Sequence, residues 1–310
     1  MAERAHIRSS GSARGLWYRI WKFRMAYLFL VPTLLLLGSI KYMPFFTAIV
    51  ESMFDWNGVN VNEFVGLANY RELLTDPKIA VAFANVFKIS FFTVAVNLTL
   101  PMLVAVLVFR IRNVKLQNFL KVGFIVPLVV PMMVLILLWR WLYAGDFGLI
   151  NQLLDVAGLG SLKHSWLGDP ATALWAILFV GFPWVAGLPF LLYLAGLQSI
   201  SEELFEVSQM EGVGPFRRFF AIELPLLGSQ IKLVLLYGLI HAFQVFEAPY
   251  VLTNGGPGIT TITPALHIYD QAFNYGRFGY ASTIGVAMFA VLIVLTLIIQ
   301  TYFKTPDKLD

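Results

Sequence analysis

The segment from Gly196 to Gln230 reads GLQSISEELFEVSQMEGVGPFRRFFAIELPLLGSQ and separates two long apolar runs. Ser201 is typical of a helix N-cap, because a serine hydroxyl can accept a hydrogen bond from a free amide of the first turn. The next turns carry three carboxylates, which the helix dipole favours at that end: Glu202, Glu203 and Glu206. We therefore predict a short amphipathic helix that ends near Glu211.

Helix-breaking residues end this helix: Gly212, Gly214 and Pro215. A second segment begins at Phe216 and reaches Pro225, close to the start of the next apolar run. A helix–turn–helix of this kind has two interpretations. It either only returns the chain to an apolar phase or presents a docking element to another protein, and the local pattern leaves both open.

The composition of the whole chain is that of a protein solvated by lipid. Of its 310 residues, 58% are hydrophobic and 13% are charged, whereas about a quarter are charged in a soluble domain. The mean hydropathy is +0.74. The sequence has no cysteine, which excludes a disulfide framework, a thiolate metal site and a thiol nucleophile. We predict an all-α integral membrane protein that holds no metal and does not bind nucleic acid.

Six apolar stretches are long enough to cross a bilayer as helices, which takes about 20 residues. They are Met25–Val50, Ala84–Phe109, Leu120–Leu142, Ala171–Leu194, Ile231–Leu252 and Gly279–Phe303. We therefore predict six transmembrane helices. They divide the chain into a basic leader over residues 1–24, a membrane domain over 25–303 and a short tail over 304–310.

The basic residues predict the orientation. Fifteen of the 22 lie in the leader, in the tail, between the second and third stretches, and after the fourth; four lie in the other connections. The positive-inside rule then places both termini and the 196–230 segment in the cytoplasm. Lys41, Lys88 and Arg140 lie near predicted helix ends, from which long side chains can reach the interface.

The 196–230 segment resembles the EAA loop of binding-protein-dependent ABC permeases, in which E-A-A, three residues and G precede I-x-L-P by about nine residues. The matching residues are Glu206, Val207, Ser208, Gly212, Ile222, Leu224 and Pro225. Val207 and Ser208 replace the two alanines, and Glu211 stands where aspartate is usual. The resemblance implies that this loop, including Glu203 and Gly214, couples the chain to a cytosolic ATPase.

A second match lies beyond the fifth stretch, in YVLTNGGPG at 250–258 and IYDQAF at 268–273. It is similar to the external loop of the carbohydrate-uptake branch of these permeases, and in particular to the larger maltose-type subunit. Gly255, Gly256 and Pro257 predict a tight turn on the external face. Two separate motifs in the expected order identify the chain as a member of that branch.

The resemblance implies a type I ABC importer architecture and an assembly in a bacterial or archaeal cytoplasmic membrane. Its parts would be two homologous permeases forming a heterodimer, two cytosolic ATPases and an extracytoplasmic solute-binding protein. The chain would move a sugar or sugar-like solute inward by alternating access. It would be non-catalytic and bind no cofactor, because ATP and Mg would be held by the ATPases.

The alternative is a secondary transporter or channel for a small polar solute, in which helices interrupted by proline and glycine would serve equally well. The acidic helix that ends in glycine before Leu-Pro favours the ABC permease. A proton-coupled carrier also needs several acids in its spans, and only Glu247 lies securely inside one. The absence of a G-x-x-x-x-G-K-[ST] phosphate loop agrees with ATP hydrolysis by another polypeptide.

Polar side chains in the fifth stretch recur at i, i+4 and i+7 and share one helix face: Tyr237, His241 and Gln244. Glu247 lies on its flank and Gly238 beside it. One interpretation is hydrogen bonding between helices. The other is a solute path that binds sugar hydroxyls, with Phe243, Phe246 or Trp184 stacking on a ring. The maltose-type contacts do not carry over, since Gly238, Ala242 and Val245 occupy several of those positions.

Overall fold

The computed structural model describes Tyr18 and residues 21–303. Most of the predicted basic leader and all of the predicted tail, residues 304–310, lie outside the described residues. Helices dominate the fold, and three of them are long and apolar enough to cross a membrane. The number rises to five when each of two sharply bent helix pairs is counted as one span, so six spans stay a prediction.

The first span is one continuous helix of 28 residues. It consists of α1 (Arg24–Leu37), a π-helical turn (Gly38–Tyr42) and α2 (Met43–Glu51). Lys41 lies inside this helix and not near its end as predicted, because the π-helical turn carries the chain past Pro44 without a break. The apolar stretch of the helix is exposed along its length within this single chain.

A β-hairpin follows, which the all-α prediction missed. Its antiparallel strands β1 (Phe54–Trp56) and β2 (Asn62–Phe64) precede the short helix α3 (Ala68–Thr75). The Asn57 side chain accepts hydrogen bonds from three turn amides, those of Val59, Asn60 and Val61. Strands of three residues leave too short a period-two pattern to be recognised in the sequence.

The second span, α4 (Pro77–Phe109), is the central helix of the fold. It begins seven residues before the predicted Ala84, because Asp76 caps it by accepting a hydrogen bond from the Lys78 amide at 2.8 Å. The helices α9 (Leu188–Gln198) and α13 (Gly228–Phe243) pack against it more extensively than any others.

The third, fourth and fifth predicted stretches are broken helices. The third is α5 (Val114–Ile125) and α6 (Met132–Leu142), which are bent by 90° around Pro131. The fourth is α8 (Ala173–Phe179) and α9, with irregular chain between them. The fifth is α13 and α14 (Glu247–Thr253), which are separated by three residues. Three shorter helices lie between these spans and the last one: α7 (Leu149–Val156), α10 (Glu202–Met210) and α15 (Pro264–Tyr269).

The last span, α16 (Phe278–Tyr302), matches the predicted stretch to within one residue. The β-hairpin packs against the start of this helix so closely that a Cβ on Gly279 would overlap the Phe54 carbonyl. The Thr283 hydroxyl donates to the Ser52 carbonyl at 3.0 Å. The Phe45 and Phe289 rings, 4.8 Å apart, attach the first span to the same helix.

Candidate functional site

The 196–230 loop forms the predicted helix–turn–helix. Helix α10 ends at Met210, one residue before the predicted end. Ser201 stands at the N-cap position, but its hydroxyl makes no capping hydrogen bond, so the predicted cap bond is absent. The first turn is held instead by the Ser201 carbonyl, which accepts from the Leu204 amide at 3.2 Å.

The turn after α10 requires glycine at one position. Gly212 has φ +68°, in the left-handed region where a side chain is strained. The Val213 amide donates to the Ser208 carbonyl at 2.9 Å, which closes the helix end. Gly214 has an ordinary φ of −65°, so the backbone there does not demand glycine.

The outer surface of the loop combines carboxylates with bare apolar side chains. Glu203, Glu206 and Glu211 are exposed. The Met210 side chain is 87% exposed and that of Phe216 82%. These exposed side chains are available for contact with a partner or with lipid, and the docking role of the loop stays a prediction.

Behind this surface the chain turns toward the membrane at the Leu-Pro pair. A short helix α11 (Pro215–Arg218), a π-helical turn (Phe219–Glu223) and a short helix α12 (Leu224–Leu226) precede α13. The helical path bends by 69° where α12 meets α13. Leu224 is half-buried and Pro225 exposed at this bend.

A buried ion cluster, which the sequence analysis missed, lies under the loop. The Glu223 side chain is fully buried and receives Arg110 Nη2 at 2.8 and 3.0 Å. Arg218 Nε donates to it at 3.0 Å. A glutamate inside the apolar run FFAIELPLL is the available signal, because a buried carboxylate requires a cationic partner. The identity of that partner required the fold.

The polar face of the fifth span consists of Tyr237, His241, Gln244 and Glu247. Tyr237 is half-buried and the other three are exposed. The Tyr237 and His241 rings lie 4.2 Å apart. Among the described residues, none of these four side chains makes a hydrogen bond to another helix of the chain, so they do not join helices within the chain.

The helix carrying this face is not continuous. Helix α13 ends at Phe243, Gln244 occupies its C-cap, and Glu247 begins α14. Tyr237 and His241 thus share a face of α13, and Gln244 lies directly after its last residue. Glu247 belongs to the next helix, α14. Gln244 has non-helical dihedrals, which place its amide at the break.

Gly238 and Trp184 have surroundings other than those predicted. Gly238 is buried where α13 crosses α4, and an added Cβ would lie 3.1 Å from the Asn97 side-chain nitrogen. It lets the two helices approach. Trp184 packs against Phe92, with ring centroids 5.3 Å apart, and donates its indole N–H to the Val180 carbonyl. Its ring therefore belongs to an aromatic cluster at the break between α8 and α9.

The external glycine–proline turn has the predicted tight form. Asn254, Gly255 and Gly258 have positive φ values of 49°, 81° and 63°. The Gly256 amide donates to the Thr253 carbonyl at 2.9 Å, and the Thr261 hydroxyl donates to the Gly256 carbonyl. A cavity of about 920 Å³ lies beside the turn, with Arg140, Tyr250, Asn254 and Asn274 among its lining residues.

No group of three or more potential metal ligands is brought together within the described part of the chain. The described part of the chain therefore presents a loop with exposed carboxylates and apolar side chains, a polar helix face and a glycine–proline turn. Residues 97–305, which carry all three, match the family described as "Binding-protein-dependent transport system inner membrane component". The chain belongs to this family.

Individual relatives span nearly the whole chain. The probable ABC transporter permease protein YurN of Bacillus subtilis (strain 168) is 33% identical over 280 residues, which cover 90% of this chain and 96% of the relative. The probable starch degradation products transport system permease protein AmyD of Thermoanaerobacterium thermosulfurigenes is 29% identical over 300 residues and 96% of each chain.

A solved structure shares the fold. It is a crystal structure of a bacterial ABC transporter involved in the import of the acidic polysaccharide alginate, with a TM-score of 0.83 and 20% identity. The match covers 94% of this chain and 99% of that one. By its family, the chain is a multi-pass membrane component of a transport system.

A polar cluster centred on Asp76 joins the start of α4 to α15 and α16. The Tyr280 hydroxyl donates to Asp76 Oδ2 at 2.9 Å, and the Nε2 atom of the fully buried His267 lies 3.1 Å from the same oxygen. Burial favours the protonated carboxyl. Hydrogen bonds from His267, the Lys78 amide and Tyr280 outweigh it and hold the pKa of Asp76 below its usual value.

We expect Asp76→Asn to lower the stability of the purified permease by about 1–3 kcal/mol, because the substitution removes the charge from the hydrogen bonds with Tyr280 and His267. A carboxyl group whose pKa is lowered by folding stabilises the folded state. This contribution is complete above the unfolded pKa of about 3.9 and is lost as the pH falls through the folded pKa. The wild type should therefore lose this contribution below about pH 4, whereas Asp76→Asn should not. Thermal denaturation from pH 7 to 3 measures both, with the exposed Asp146→Asn as control. Equal pH profiles for all three proteins would contradict the role of the cluster.

Proposed function

We propose that the chain is the permease subunit of an ATP-driven importer for a sugar or sugar-like solute and that it works by alternating access. The observation that carries this proposal is the exposed 196–230 loop. Its acidic and apolar surface has no function within a single chain, and it lies at the end of the same helix that carries the polar face. Docking of an ATPase there would let ATP hydrolysis act on the spans.

The solute class is supported by the relatives and by the polar face. AmyD is named for starch degradation products and the structural neighbour for an acidic polysaccharide, so both serve polyhydroxylated substrates. Exposed imidazole, amide and carboxylate groups in a membrane-spanning region are costly against lipid. Hydrogen bonding to sugar hydroxyls in a water-filled path accounts for their exposure.

The partners follow from what one chain lacks. The polar face is open to one side, and the first span presents apolar surface along its length. We propose that a second, homologous permease closes the path, that two cytosolic ATPases bind the 196–230 loops, and that an external binding protein delivers the solute. The assembly would lie in the cytoplasmic membrane of a bacterium or archaeon.

The test of this function is ATP-dependent uptake by the assembled complex in liposomes. The solute would first be identified by mass spectrometry of what the cognate binding protein retains. We expect uptake of a carbohydrate that requires the binding protein, ATP and both permeases. Uptake driven by an ion gradient without ATP would support a secondary transporter instead.

The proposed topology has six spans with both termini in the cytoplasm. Asn113 and Ser161 are both exposed in the structure and uncharged, so their labelling reports the side of the membrane and not burial. The natural absence of cysteine provides a clean background. In intact cells we expect an impermeant maleimide to label Ser161→Cys but not Asn113→Cys. Labelling in the opposite pattern would place the 196–230 loop outside and contradict the topology.

A further inference from the structure

The ion cluster of Arg110, Glu223 and Arg218 joins three parts of the chain on the side of the 196–230 loop. Arg110 is the C-cap residue of α4, Arg218 ends α11, and Glu223 ends the π-helical turn before α12. Exposed fractions of the side chains are 24% for Arg110, 16% for Arg218 and 0% for Glu223. The carboxylate is therefore enclosed by the elements that it connects.

The cluster also holds the turn and helix α10. Arg110 Nη2 donates to the Pro215 carbonyl at 3.2 Å, directly after the glycine turn. The Arg218 guanidinium lies 5.4 Å from the centre of the Phe205 ring on α10. Phe205 in turn packs against Phe109 at the end of α4, with ring centroids 5.6 Å apart. Contacts thus run from Phe205 of α10 to α4 by two routes, directly to Phe109 and through Arg218 and Glu223 to Arg110.

Helix α4 leads from this cluster to the polar face. Near its end, Ala105 and Val106 pack in one buried group with Leu197 of α9 and Leu227 before α13. Further towards its start, α4 crosses α13 at Gly238, the neighbour of Tyr237, where an added Cβ would lie 3.1 Å from the Asn97 side-chain nitrogen and 3.5 Å from the Val94 side chain. A displacement of α4 relative to the loop must therefore be felt at α13, because packed interiors are nearly incompressible.

We propose that Glu223 is a positioning residue that transmits movement of the 196–230 loop to α4 and through it to the polar face. The inference rests on the proposed function, since it assumes that an ATPase moves the loop. One carboxylate bridging two guanidiniums is suited to this role. Both carboxylate oxygens of Glu223 accept from Arg110, and one of them also accepts from Arg218. If either α4 or α11 moved alone, the buried carboxylate would lose a charged hydrogen bond.

The test uses the complete complex with cysteine-free partner subunits, so that labelling is confined to this chain. His241→Cys serves as a reporter on the polar face, and its rate of reaction with N-ethylmaleimide is measured with and without ATP plus vanadate. Glu223→Gln keeps the size of the side chain but removes its charge. We expect it to retain assembly and ATP hydrolysis, whereas the ATP-dependent change in labelling falls about tenfold, which corresponds to about 1.4 kcal/mol.

Two variants serve as companions. Arg110→Lys keeps the cation but not the contact with both oxygens, so we expect a smaller loss of the labelling response and use it where Glu223→Gln assembles poorly. Asp155→Asn removes the exposed Lys163–Asp155 pair and should leave the response unchanged.

Three results decide between the roles. A full labelling response in Glu223→Gln would overturn the inference. It would also be overturned if response, ATP hydrolysis and assembled complex declined in the same proportion, because that is the behaviour of a residue needed only for folding. If the His241→Cys complex with native Glu223 showed no response to ATP and vanadate, that would contradict the proposed function itself, and the inference would fall with it.

Discussion

We expect Glu206→Ala and Gly212→Asp each to abolish ATP-driven uptake while normal amounts of the permease remain in the membrane. Glu206 is exposed on α10, beside the bare Met210 side chain, so its loss should not disturb the fold. In the proposed complex its carboxylate pairs with a cation of the ATPase. Removing one partner of such a desolvated pair costs about 2–5 kcal/mol, which lowers binding by a factor of about 30 to several thousand.

Gly212→Asp should act by a different route. No atom lies within 4 Å of a Cβ added at Gly212, so the free loop has space for a side chain. The cost arises from the positive φ of 68°, which strains any side chain, and from the new charge where the loop would enter the ATPase. In the proposed complex, both the backbone strain and the added charge at this turn should prevent docking to the ATPase.

Matched controls separate coupling from general damage. Glu202→Ala removes an exposed glutamate from the same helix but outside the matched motif. Gly158→Asp places aspartate at φ +75° with no atom within 4 Å, outside the 196–230 loop. Both controls should transport normally. Uptake at wild-type rates by the two test variants, with the ATPase still co-purifying, would remove the loop from the mechanism.

Local sequence signals were sufficient for the 196–230 loop. The glutamates after Ser201 and the glycine at 212 fix a helix and a turn through interactions within a few residues, so α10 and its end appear as predicted. The buried pair of Arg110 and Glu223 is different, since the two residues are 113 positions apart. Contacts at such a distance depend on how helices pack, which neither periodicity nor capping describes.

The membrane region shows the same limit in another form. Hydropathy located the spans, and the prolines and glycines inside three of them indicated interrupted helices, but neither gave the angle of a break, such as the 90° bend around Pro131. Helix α4 begins at Pro77 and not at the predicted Ala84, because its N-cap is Asp76, which precedes the apolar run. The sequence pattern of a helix face also cannot distinguish a packed side from an open one. It therefore places Gly238 beside the exposed polar residues, although Gly238 is buried and an added Cβ would lie 3.1 Å from the Asn97 side-chain nitrogen.

The polar face gives the second large effect that we expect. Each hydrogen bond to a neutral sugar hydroxyl contributes about 0.5–1.5 kcal/mol, so His241→Ala together with Gln244→Ala should reduce transport by a factor of about 5 to 150. Either single variant should lose only several-fold. These side chains make no hydrogen bond to another helix within the described part of the chain and are therefore free to bind a solute or a partner.

The remaining structural explanation is hydrogen bonding across the interface with the second permease, and it predicts a different outcome. Transport by purified complexes in liposomes would be compared for two carbohydrates that the binding protein retains and that differ at one hydroxyl. If the face binds solute, the variants should change the ratio of the two rates while assembly stays normal. Gln300→Ala, which removes an exposed amide near the end of α16, should change neither quantity. Equal losses for both carbohydrates, in proportion to lost assembly, would show that this face joins the two permeases and does not bind sugar.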